Sequence, residues 1–587
     1  MTTVNYPDDS IFRSEFREDM RVDWDVPIPM DDGVVLRANV YRPDDEGKYP
    51  VIMSHGPYGK DLHFEEIYKT CWDLMCENHP DVPAGSTNIH QSWEVADPEK
   101  WVPHGYVIVR VDSRGAGRSP GYLECFGPRE NQDFFDCIEW AGVQPWSNGK
   151  VGLSGISYYA VNQWSVAAMG PKHLAAICPW EGFNDFYREL SYHGGIYSSF
   201  QRHWYDKQIM PIQHGYGDRG FKSRANGELA AGPETLSDEE LQQNRFDLHG
   251  EFSSHPFDDE YYAVRTPDLS KITVPVLSCA NWGGAPLHPR GNFNGYTHSS
   301  SQKKWLEVHG LEHWSLYYTD YGNDLQKRFF DCFLKDDGSA WENQPRVSLN
   351  VRSEGEKFYL RGEEDWPIPR TEWTKFHLNA DGHCLSREEQ VGEESISYKS
   401  TGDGVTFVST PMEKDTEFCG PIASKIWISS DTTDADLFLV VRVFTPDLKE
   451  VVFHGALDPH TPVASGWLRA SHRALDKERS TEWAPFHTHK KAEPLTPGEI
   501  YELDIEIHAS GMVIPEGYRV ALSIRGRDYV YPGEPDAGLS NMKNQFTGVG
   551  PFLHDDRDNR PADVFDNYVT IHIGSDRPSY LLLPIVS

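Results

Sequence analysis

The stretch YVIVRVDSRGAGRSPG, residues 106–121, constrains the fold more than any other part of the sequence. An unbroken apolar run ends there in a charged, glycine-rich loop, which is typical of a parallel strand covered on both faces. Comparable apolar runs begin the segments 49–60, 150–156, 174–182, 272–284 and 304–314. Strands of this kind, separated by helices, predict a doubly wound, mostly parallel α/β sheet.

The segments between these runs predict turns and helices. Asp31-Asp32-Gly33 is a hairpin signal between two early strands. An apolar face recurs at helical spacing over residues 129–142, with Asp133 and Asp136 expected to face outward. A further helix over residues 323–335 closes the α/β unit.

Two stretches break the alternation of strands and helices. Residues 186–268 are rich in Tyr, His, Gly and Asp and predict an inserted, partly helical cap. After Pro345, short alternating runs separated by turn residues predict an all-β sandwich. We therefore expect an α/β domain over residues 1–185 and 269–345, a cap over 186–268 and a β-sandwich over 346–587.

Composition narrows the class of function. The chain has 587 residues, with 90 acidic against 55 basic side chains and a net charge of −35. Such a surface repels nucleic acids and anionic membranes, so we expect neither as a partner. No signal peptide or membrane-spanning run is evident, and the nine scattered cysteines contain no CxxC pair. These features predict a cytoplasmic protein.

The stretch KVGLSGISYYAVNQW, residues 150–164, contains two serines, each with a glycine two places before it. A nucleophile elbow needs a strand before the serine, a helix after it and little bulk around the bend. Ser154 leaves only a short strand and is not followed directly by a helix. Ser157 follows the run 151–156 and precedes a good helical segment, although Tyr159 stands where glycine is usual. We predict Ser157 as the nucleophile.

From this point the sequence resembles the cocaine esterase and X-Pro dipeptidyl-peptidase type of serine hydrolase, in its acyl-esterase branch. The matching pieces are MDDGVVLRANVYRP, GPYGK, VRVDSRGAGRSPG, QPWSNGKVGLSGISYYAVNQW, NDFYREL, VPVLSCANWGG, VHGLEHW and LRASHRALD. The resemblance implies an α/β-hydrolase domain with an inserted mainly helical cap, a C-terminal jelly-roll sandwich and no cofactor. Ala160 departs from it, because the family has a glycine there.

The base must follow the last strands of the sheet, in the chain order Ser, acid, His. WLEVHGLEHW offers two histidines. His309 falls at the end of the apolar run, where a buried structural histidine is common. His313 lies beyond Gly310 in the loop and matches the family's catalytic position, so we predict His313.

The acid is less evident. The resemblance implies an aspartate in a G-W-x-D-G segment, but here the segment reads Asn-Trp-Gly-Gly at residues 281–284. Glu181 lies at the end of the neighbouring strand and can reach the histidine from there. The alternative is that Glu181 is a structural ion-pair partner of Arg114 or Arg188. Asp185 is a weaker candidate, because the family has a structural aspartate there.

A tetrahedral intermediate needs two hydrogen-bond donors. We expect one to be the backbone N–H of Tyr158, and the resemblance assigns the other to the hydroxyl of Tyr58 in HGPYGK. In addition, three tryptophans fall at predicted strand ends, where ligands bind in such sheets. The predicted substrate-binding residues are Trp180, Trp282 and Trp314.

The leading hypothesis is a metal-independent hydrolase that cleaves carboxylic esters through an acyl-enzyme. One alternative is an amide-cleaving relative, such as an X-Pro dipeptidyl peptidase or a β-lactam or amino-ester acylase. Another is a non-catalytic binding protein with a degenerate triad. His487 and His489 lack a third ligand and predict a solvent-exposed pair rather than a metal site. The expected partner is a small ester or amide substrate, with a homodimer as one option for assembly.

Overall fold

The computed structural model describes residues 11–533, Leu539 and residues 547–587. One continuous, mostly parallel sheet forms the N-terminal part of the molecule. Its strands are, in spatial order, Arg13–Arg17, Met20–Pro29, Val35–Arg42, Val107–Asp112, Tyr49–Gly56, Ser147–Ile156, Leu174–Trp180, Val276–Asn281, Lys304–His309 and Val347–Ser353. The strands from Val107–Asp112 onward run parallel to one another, as the sequence predicts.

Helices cover both faces of this sheet. They are Phe64–Asn78, Pro98–Trp101, Pro128–Gly142, Tyr158–Met169, Pro289–His298, Ser315–Tyr318 and Asp320–Leu334. The last of these begins after Thr319, whose side chain accepts a hydrogen bond from the Gly322 amide. Its buried residues Phe329 and Phe330 pack against the sheet. Gly152 makes this contact close, because a Cβ there would lie 2.7 Å from the Phe330 ring.

The helix Pro128–Gly142 corrects one expectation. Asp136 lies at the surface side as predicted, but Asp133 is fully buried. Its carboxylate accepts hydrogen bonds from Arg114, at 2.7 Å, and from Arg129. The two guanidinium groups compensate the cost of burying the charge, which apolar spacing alone does not reveal.

Residues between strand Leu174–Trp180 and strand Val276–Asn281 form a largely helical insertion. Its elements are the π-helical segments Phe186–Ser191 and Tyr205–Ile209, the hairpin strands Tyr192–His193 and Ile196–Tyr197, and the helices Phe200–Trp204, Asp238–Gln243, Leu248–Ser254 and Glu260–Ala263. Phe200 and Trp204 of this insertion reach the carboxyl edge of the sheet.

The C-terminal part is built of mainly antiparallel strands around one apolar core. After Lys357–Glu363 the strands are Thr371–Asn379, Cys384–Ser386, Glu394–Lys399, Val405–Ser409, Thr416–Ser430, Asp436–Phe444, Glu450–Val451, Ala464–Arg469, Tyr501–Ile514, Arg519–Arg525, Tyr568–Ile573 and Tyr580–Val586, with a short helix at Ala562–Phe565.

The two parts share a strand. Val347–Ser353 pairs with Lys304–His309 in the parallel sheet and also contacts Tyr501–Ile514 of the C-terminal part. The predicted limit at residue 345 thus falls just before a strand that joins both, and the domain limits stay a prediction. Among the described residues, no helix has the length and apolar character needed to cross a bilayer.

Candidate active site

Ser157 lies at a sharp bend between strand Ser147–Ile156 and helix Tyr158–Met169. Its φ of 55° is in the left-handed region, which a serine adopts only under constraint from its surroundings. Gly155 makes the bend possible, because a Cβ there would lie 2.4 Å from the Cβ of Tyr159. Tyr159 itself fits at its unusual position because its ring passes over Gly56, where a Cβ would lie 2.7 Å away.

The other serine of the motif belongs to the core. Ser154 is 1% exposed, and its hydroxyl contacts Tyr317 Oη at 2.9 Å and Gln326 Oε1 at 2.6 Å. Its glycine, Gly152, serves helix packing rather than an elbow. Ser157, by contrast, is half-buried and borders a cavity.

His313 lies in the loop after strand Lys304–His309 and borders the same cavity as Ser157. Its backbone N–H donates to Ala456 O at 3.1 Å, so the C-terminal part helps to hold this loop. The imidazole lies between two buried carboxylates: Nδ1 is 2.7 Å from Glu181 Oε2, and Nε2 is 3.1 Å from Glu94 Oε1. A neutral imidazole has one N–H, so the two contacts need a second proton on the ring or on a carboxyl group.

Glu181 follows strand Leu174–Trp180 with a φ of 52° and is fully buried. Its N–H donates to Cys279 O at 2.7 Å, which fixes the residue at the strand end. A Cβ built on Gly284 would lie 3.5 Å from Glu181 Oε2. The Glu181 carboxylate therefore occupies space beside the position where the resemblance places an aspartate.

The arginines considered as alternative partners of Glu181 bind other carboxylates. Arg114 pairs with Asp133 and Asp32. Arg188 pairs with Asp185 and Asp258, each at 3.0 Å. Asp185 also caps the Arg188 amide, and it makes no described contact with His313.

Glu181 is shared by a second histidine. Its Oε1 lies 3.2 Å from His309 Nε2, and His309 Nδ1 lies 2.7 Å from Glu307 Oε2. The hydrogen bonds thus run in sequence through Glu307, His309, Glu181, His313 and Glu94, which we call the carboxylate–histidine chain. His309 is 1% exposed and does not border the Ser157 cavity.

The charges of the residues in the carboxylate–histidine chain depend on one another. Burial alone would raise the pKa of Glu181, but the charges and hydrogen bonds of His313 and His309 lower it to about 2. Burial alone would lower the pKa of His313, but Glu181 and Glu94 raise it to about 10. Burial raises the pKa of Glu94 to about 7 against the pull of His313. The arrangement therefore favours the imidazolium form of His313.

The Ser157 hydroxyl bonds to a histidine that the sequence did not single out. Ser157 Oγ lies 3.2 Å from His288 Nε2, and the His288 ring stacks on the His313 ring at 5.3 Å between centroids. His288 Nδ1 is buried and has no partner among the described residues. Burial and the charge of His313 hold the pKa of His288 well below its usual range, so this ring is neutral.

Two hydrogen-bond donors near Ser157 are candidates for binding a carbonyl oxygen. Tyr58 is 3% exposed, borders the cavity and accepts a hydrogen bond from Trp204 Nε1 at 2.8 Å. Its own proton is free to donate, and burial holds its pKa far above the usual range, so the proton is retained. The Tyr158 N–H, at the first position of the helix, has no intrahelical acceptor. The Tyr158 hydroxyl points elsewhere, to Glu130 Oε2 at 2.6 Å.

The cavity at Ser157 is small and largely aromatic. Its volume is about 30 Å³, room for about two water molecules. Leu457 of the C-terminal part lines it together with six aromatic side chains: Tyr58, Tyr68, Trp93, Phe200, Trp204 and Trp314. Of the three predicted substrate-binding tryptophans, only Trp314 lines this cavity. Trp180 packs on His309 and Tyr317, while Trp282 donates to Asn350 O at 2.9 Å.

The pair His487 and His489 is buried, which corrects the expectation of a solvent-exposed pair. With His508 they line a pocket where the C-terminal part meets Arg188 of the insertion and Arg290 of the α/β part, and His472 contacts His489 at 3.0 Å between the Nδ1 atoms. We call these four residues the interface histidines. In the part of the chain that the structure describes, no group of three or more His, Cys, Asp or Glu side chains is arranged to hold a metal ion.

Glu94 and His288 escaped sequence reasoning for different reasons. Glu94 follows a tryptophan in an irregular segment, and no periodicity distinguishes it from a surface acid. Its role becomes visible only in the structure, where its φ is 59° and its carbonyl accepts a hydrogen bond from the Ile156 N–H at 3.0 Å. His288 precedes Pro289 at a helix start, a position that carries no catalytic pattern.

Comparison with known proteins agrees with this architecture. The X-Pro dipeptidyl-peptidase S15 family model matches residues 32–315, and the X-Pro dipeptidyl-peptidase C-terminal non-catalytic domain matches residues 339–582. Cocaine esterase of Rhodococcus sp. strain MB1 Bresler is 24% identical over 96% of this chain and 98% of its own. A putative serine esterase of Mycobacterium bovis is 23% identical over 85% of this chain and 90% of its own.

A solved structure extends the likeness to the whole architecture. The CocE/NonD family hydrolase from Staphylococcus aureus is 32% identical, with a TM-score of 0.83 over 97% of this chain and 94% of that chain. An identity of this size over nearly the whole of both chains goes beyond a shared fold. The chain belongs to the CocE/NonD family of hydrolases.

Proposed function

We propose that this enzyme hydrolyses carboxylic esters through an acyl-enzyme on Ser157, with His313 as base and Glu181 as the acid of the triad. One observation carries the proposal: the buried Glu181 carboxylate lies 2.7 Å from His313 Nδ1, and His313 shares a cavity with Ser157. A histidine that binds a buried carboxylate through Nδ1 and lines the same cavity as a strained serine has the parts of a catalytic triad, although Nε2 is bound to Glu94 in this arrangement.

In the first step the Ser157 oxygen attacks the ester carbonyl carbon, and its proton passes to His313 Nε2. The tetrahedral intermediate collapses when that proton moves to the leaving alkoxide, which departs as an alcohol. Water then repeats the sequence on the acyl-enzyme, giving the free acid and restoring Ser157. Throughout, Glu181 holds the Nδ1–H and stabilises the imidazolium.

The Tyr58 hydroxyl and the Tyr158 N–H are proposed to bind the oxyanion. Tyr58 suits this role because Trp204 occupies its acceptor side, which leaves the O–H as a donor. Donors fixed in a buried cavity stabilise developing charge more than water does, because they need no reorganisation. Trp314, which lines the same cavity, is proposed to contact the acyl group.

Labelling with a fluorophosphonate tests the nucleophile. We expect covalent labelling of the wild type and of Ser154→Ala, the matched control in the same motif, and none of Ser157→Ala. Labelling that persists in Ser157→Ala contradicts the proposal, and so does a wild type that cannot be labelled.

Substrate comparison tests the bond that is cleaved. The match to an X-Pro dipeptidyl-peptidase family model favours amide cleavage as a second candidate. The small cavity beside Ser157 favours esters with short acyl groups. We expect p-nitrophenyl acetate to be hydrolysed with a higher kcat/KM than an X-Pro p-nitroanilide, and the reverse order supports the peptidase.

Three further expectations concern the fold of the C-terminal part, the location of the protein and its partners. The C-terminal strands are proposed to form a jelly roll. A reducing, cytoplasmic location is proposed because all nine cysteines are free thiols. Protein purified without reductant is expected to titrate with nine thiols after unfolding. The proposed partner is a small ester, and light scattering decides whether the chain also forms a homodimer.

A further inference from the structure

Glu94 stands out because the triad described above does not use it. It is 2% exposed and lies against the nucleophile elbow, since its carbonyl oxygen would be 3.2 Å from a Cβ on Gly155. Its Oε1 contacts His313 Nε2, and a side-chain hydrogen bond with Trp93 also acts on the carboxylate. Burying a carboxylate is costly even with such partners, so its position calls for an explanation.

The contact blocks the atom on which ester hydrolysis depends. His313 Nε2 must offer a lone pair to the Ser157 proton. If His313 is an imidazolium, Nε2 carries a proton and has no lone pair. If the proton is instead on Glu94, the carboxyl group donates to Nε2 and occupies the lone pair. In both cases His313 cannot accept the Ser157 proton, and the Ser157 hydroxyl is bonded to His288 instead.

We propose that Glu94 is a positioning residue that holds His313 in a resting state and prevents it from acting as the base until the Glu94 contact is broken. The inference rests on the proposed roles of Ser157 and His313. Glu94 acts through His313 and needs no contact with the reacting carbonyl. When the proton shared with Glu94 is lost, His313 is neutral and its Nε2 carries a lone pair that can accept the Ser157 proton.

The groups around His313 and Glu94 do not change their charge, so the proton shared by this pair sets the pH dependence of the base. The titratable groups that face the pair are Glu181 and His288 around the imidazole and four hydroxyls around Glu94: Tyr58, Tyr68, Tyr159, Tyr318. Burial holds the pKa of each of these tyrosines above its usual range, so they stay neutral. Glu181 stays ionised because both histidines bind it. The pH dependence of the base therefore depends on the His313 and Glu94 pair.

The test is the pH profile of kcat/KM for p-nitrophenyl acetate, which reports ionisations of the free enzyme. Glu94→Gln keeps the shape of the side chain and an oxygen that can accept from His313, but removes the negative charge. We expect the acid limb of the profile to move at least about one unit to lower pH, so that activity on that limb rises about tenfold or more. The alkaline plateau is expected to stay within about threefold of wild type.

Glu312→Gln is the matched control. Glu312 is a buried carboxylate next to His313 in the chain, but it binds Ser315 Oγ rather than the imidazole. We expect its acid limb to stay with the wild type. Glu94→Asp, which keeps the charge, is expected to restore an acid limb near that of the wild type.

The outcomes separate this inference from the proposed function. An acid limb that does not move in Glu94→Gln, or activity that falls equally at every pH, overturns the role of Glu94. If Ser157→Ala labels like the wild type, the catalytic assignment itself fails. If the wild type labels at Ser157 but the limb of Glu94→Gln is unmoved, only the Glu94 inference fails.

Discussion

The protein buries two groups of histidines with opposite electrostatics. In the carboxylate–histidine chain, His309 and His313 each lie between two carboxylates, which raise the pKa of His309 to about 9 and that of His313 to about 10. The interface histidines have no carboxylate hydrogen bond among the described residues. Burial lowers the pKa of His472 to about 3 and those of His487 and His508 to about 4.

The difference lies in the neighbours and not in the depth of burial. His472 lies near Arg469, and the other three interface histidines lie near Arg290; these positive charges add to desolvation and disfavour an imidazolium. Glu506 opposes this effect at His487 and His508, but Arg290 binds both Glu506 and Glu189, and Arg469 binds Asp436, so the carboxylates nearby are already paired. A buried histidine thus becomes chemically useful where a carboxylate is left for it, and it becomes neutral packing where an arginine has taken the carboxylate.

The largest expected effect separates the two groups by activity. His313→Ala should lower kcat by about 10⁴ to 10⁶, because the proton acceptor for Ser157 is lost. His489→Ala, a change of the same size at the interface, should leave kcat within about threefold of wild type. The measurement is ester hydrolysis by protein whose folding is verified by circular dichroism. Equal losses in the two variants would mean that the comparison has no bearing on catalysis.

The next effect tests which carboxylate serves the base. Glu181→Gln should lower kcat by about 10⁴, because a neutral amide does not stabilise the imidazolium and its N–H can donate to Nδ1, which selects the wrong tautomer. Glu307→Gln removes a carboxylate from His309 instead and should cost less than about tenfold. The two rates are compared at the alkaline plateau of each variant. A larger loss of kcat in Glu307→Gln would mean that Glu181 is not the catalytic acid.

A smaller effect is expected at the oxyanion. Tyr58→Phe keeps the aromatic wall of the cavity and removes one donor, so kcat should fall by about 10² to 10³ with KM little changed. Tyr68→Phe, a second tyrosine of the same cavity, should change kcat by less than about tenfold. If Tyr68→Phe causes the larger loss, the oxyanion donor is misassigned.

The smallest effect concerns stability and pH. The folded pKa of His487 lies below the ordinary value of 6.5, so the unfolded chain takes up the proton first as the pH falls. The free energy of unfolding therefore decreases from about pH 6.5 to about pH 4, by at most about 1.4 kcal/mol per pH unit for each such histidine.

Urea unfolding at several pH values measures this slope. His487→Gln should flatten the decrease on the acid side. His313→Gln should act on the alkaline side, because a raised pKa contributes stability below pH 6.5 that is lost as the pH rises towards 10. An unchanged acid slope in His487→Gln would contradict the electrostatic contrast between the two groups.

The sequence predicted the elements of the α/β fold well because each depends on local pattern. The buried run at Val107–Asp112, the hairpin at Gly33 and the helix Pro128–Gly142 lie where apolar spacing and turn residues indicate. Asp133 was placed on the wrong side of that helix, because its burial depends on Arg114 from a distant loop. The family assignment expected from the motifs is confirmed by the comparisons.

In the candidate site, too, the sequence identified residues defined by their neighbours in sequence and missed those defined by distant partners. Ser157 could be distinguished from Ser154 because strand, glycine and helix are neighbours in sequence. Glu181 could be suggested only as one of two roles, because its distance to His313 spans 132 positions of the chain. Glu94 and His288 could not be found at all, since each acquires its meaning from a partner on another element.

The sequence by itself determined the order of strands and helices, the sharp bend that exposes one hydroxyl and the acidic, thiol-bearing character of the chain. These follow from forces that act between near neighbours: side-chain burial, helical and strand periodicity, and glycine's backbone freedom. Only the tertiary structure decided which buried histidine meets a carboxylate and which meets an arginine. Charge interactions in a protein interior depend on distances of a few ångströms between residues far apart in the chain, and no local pattern encodes those distances.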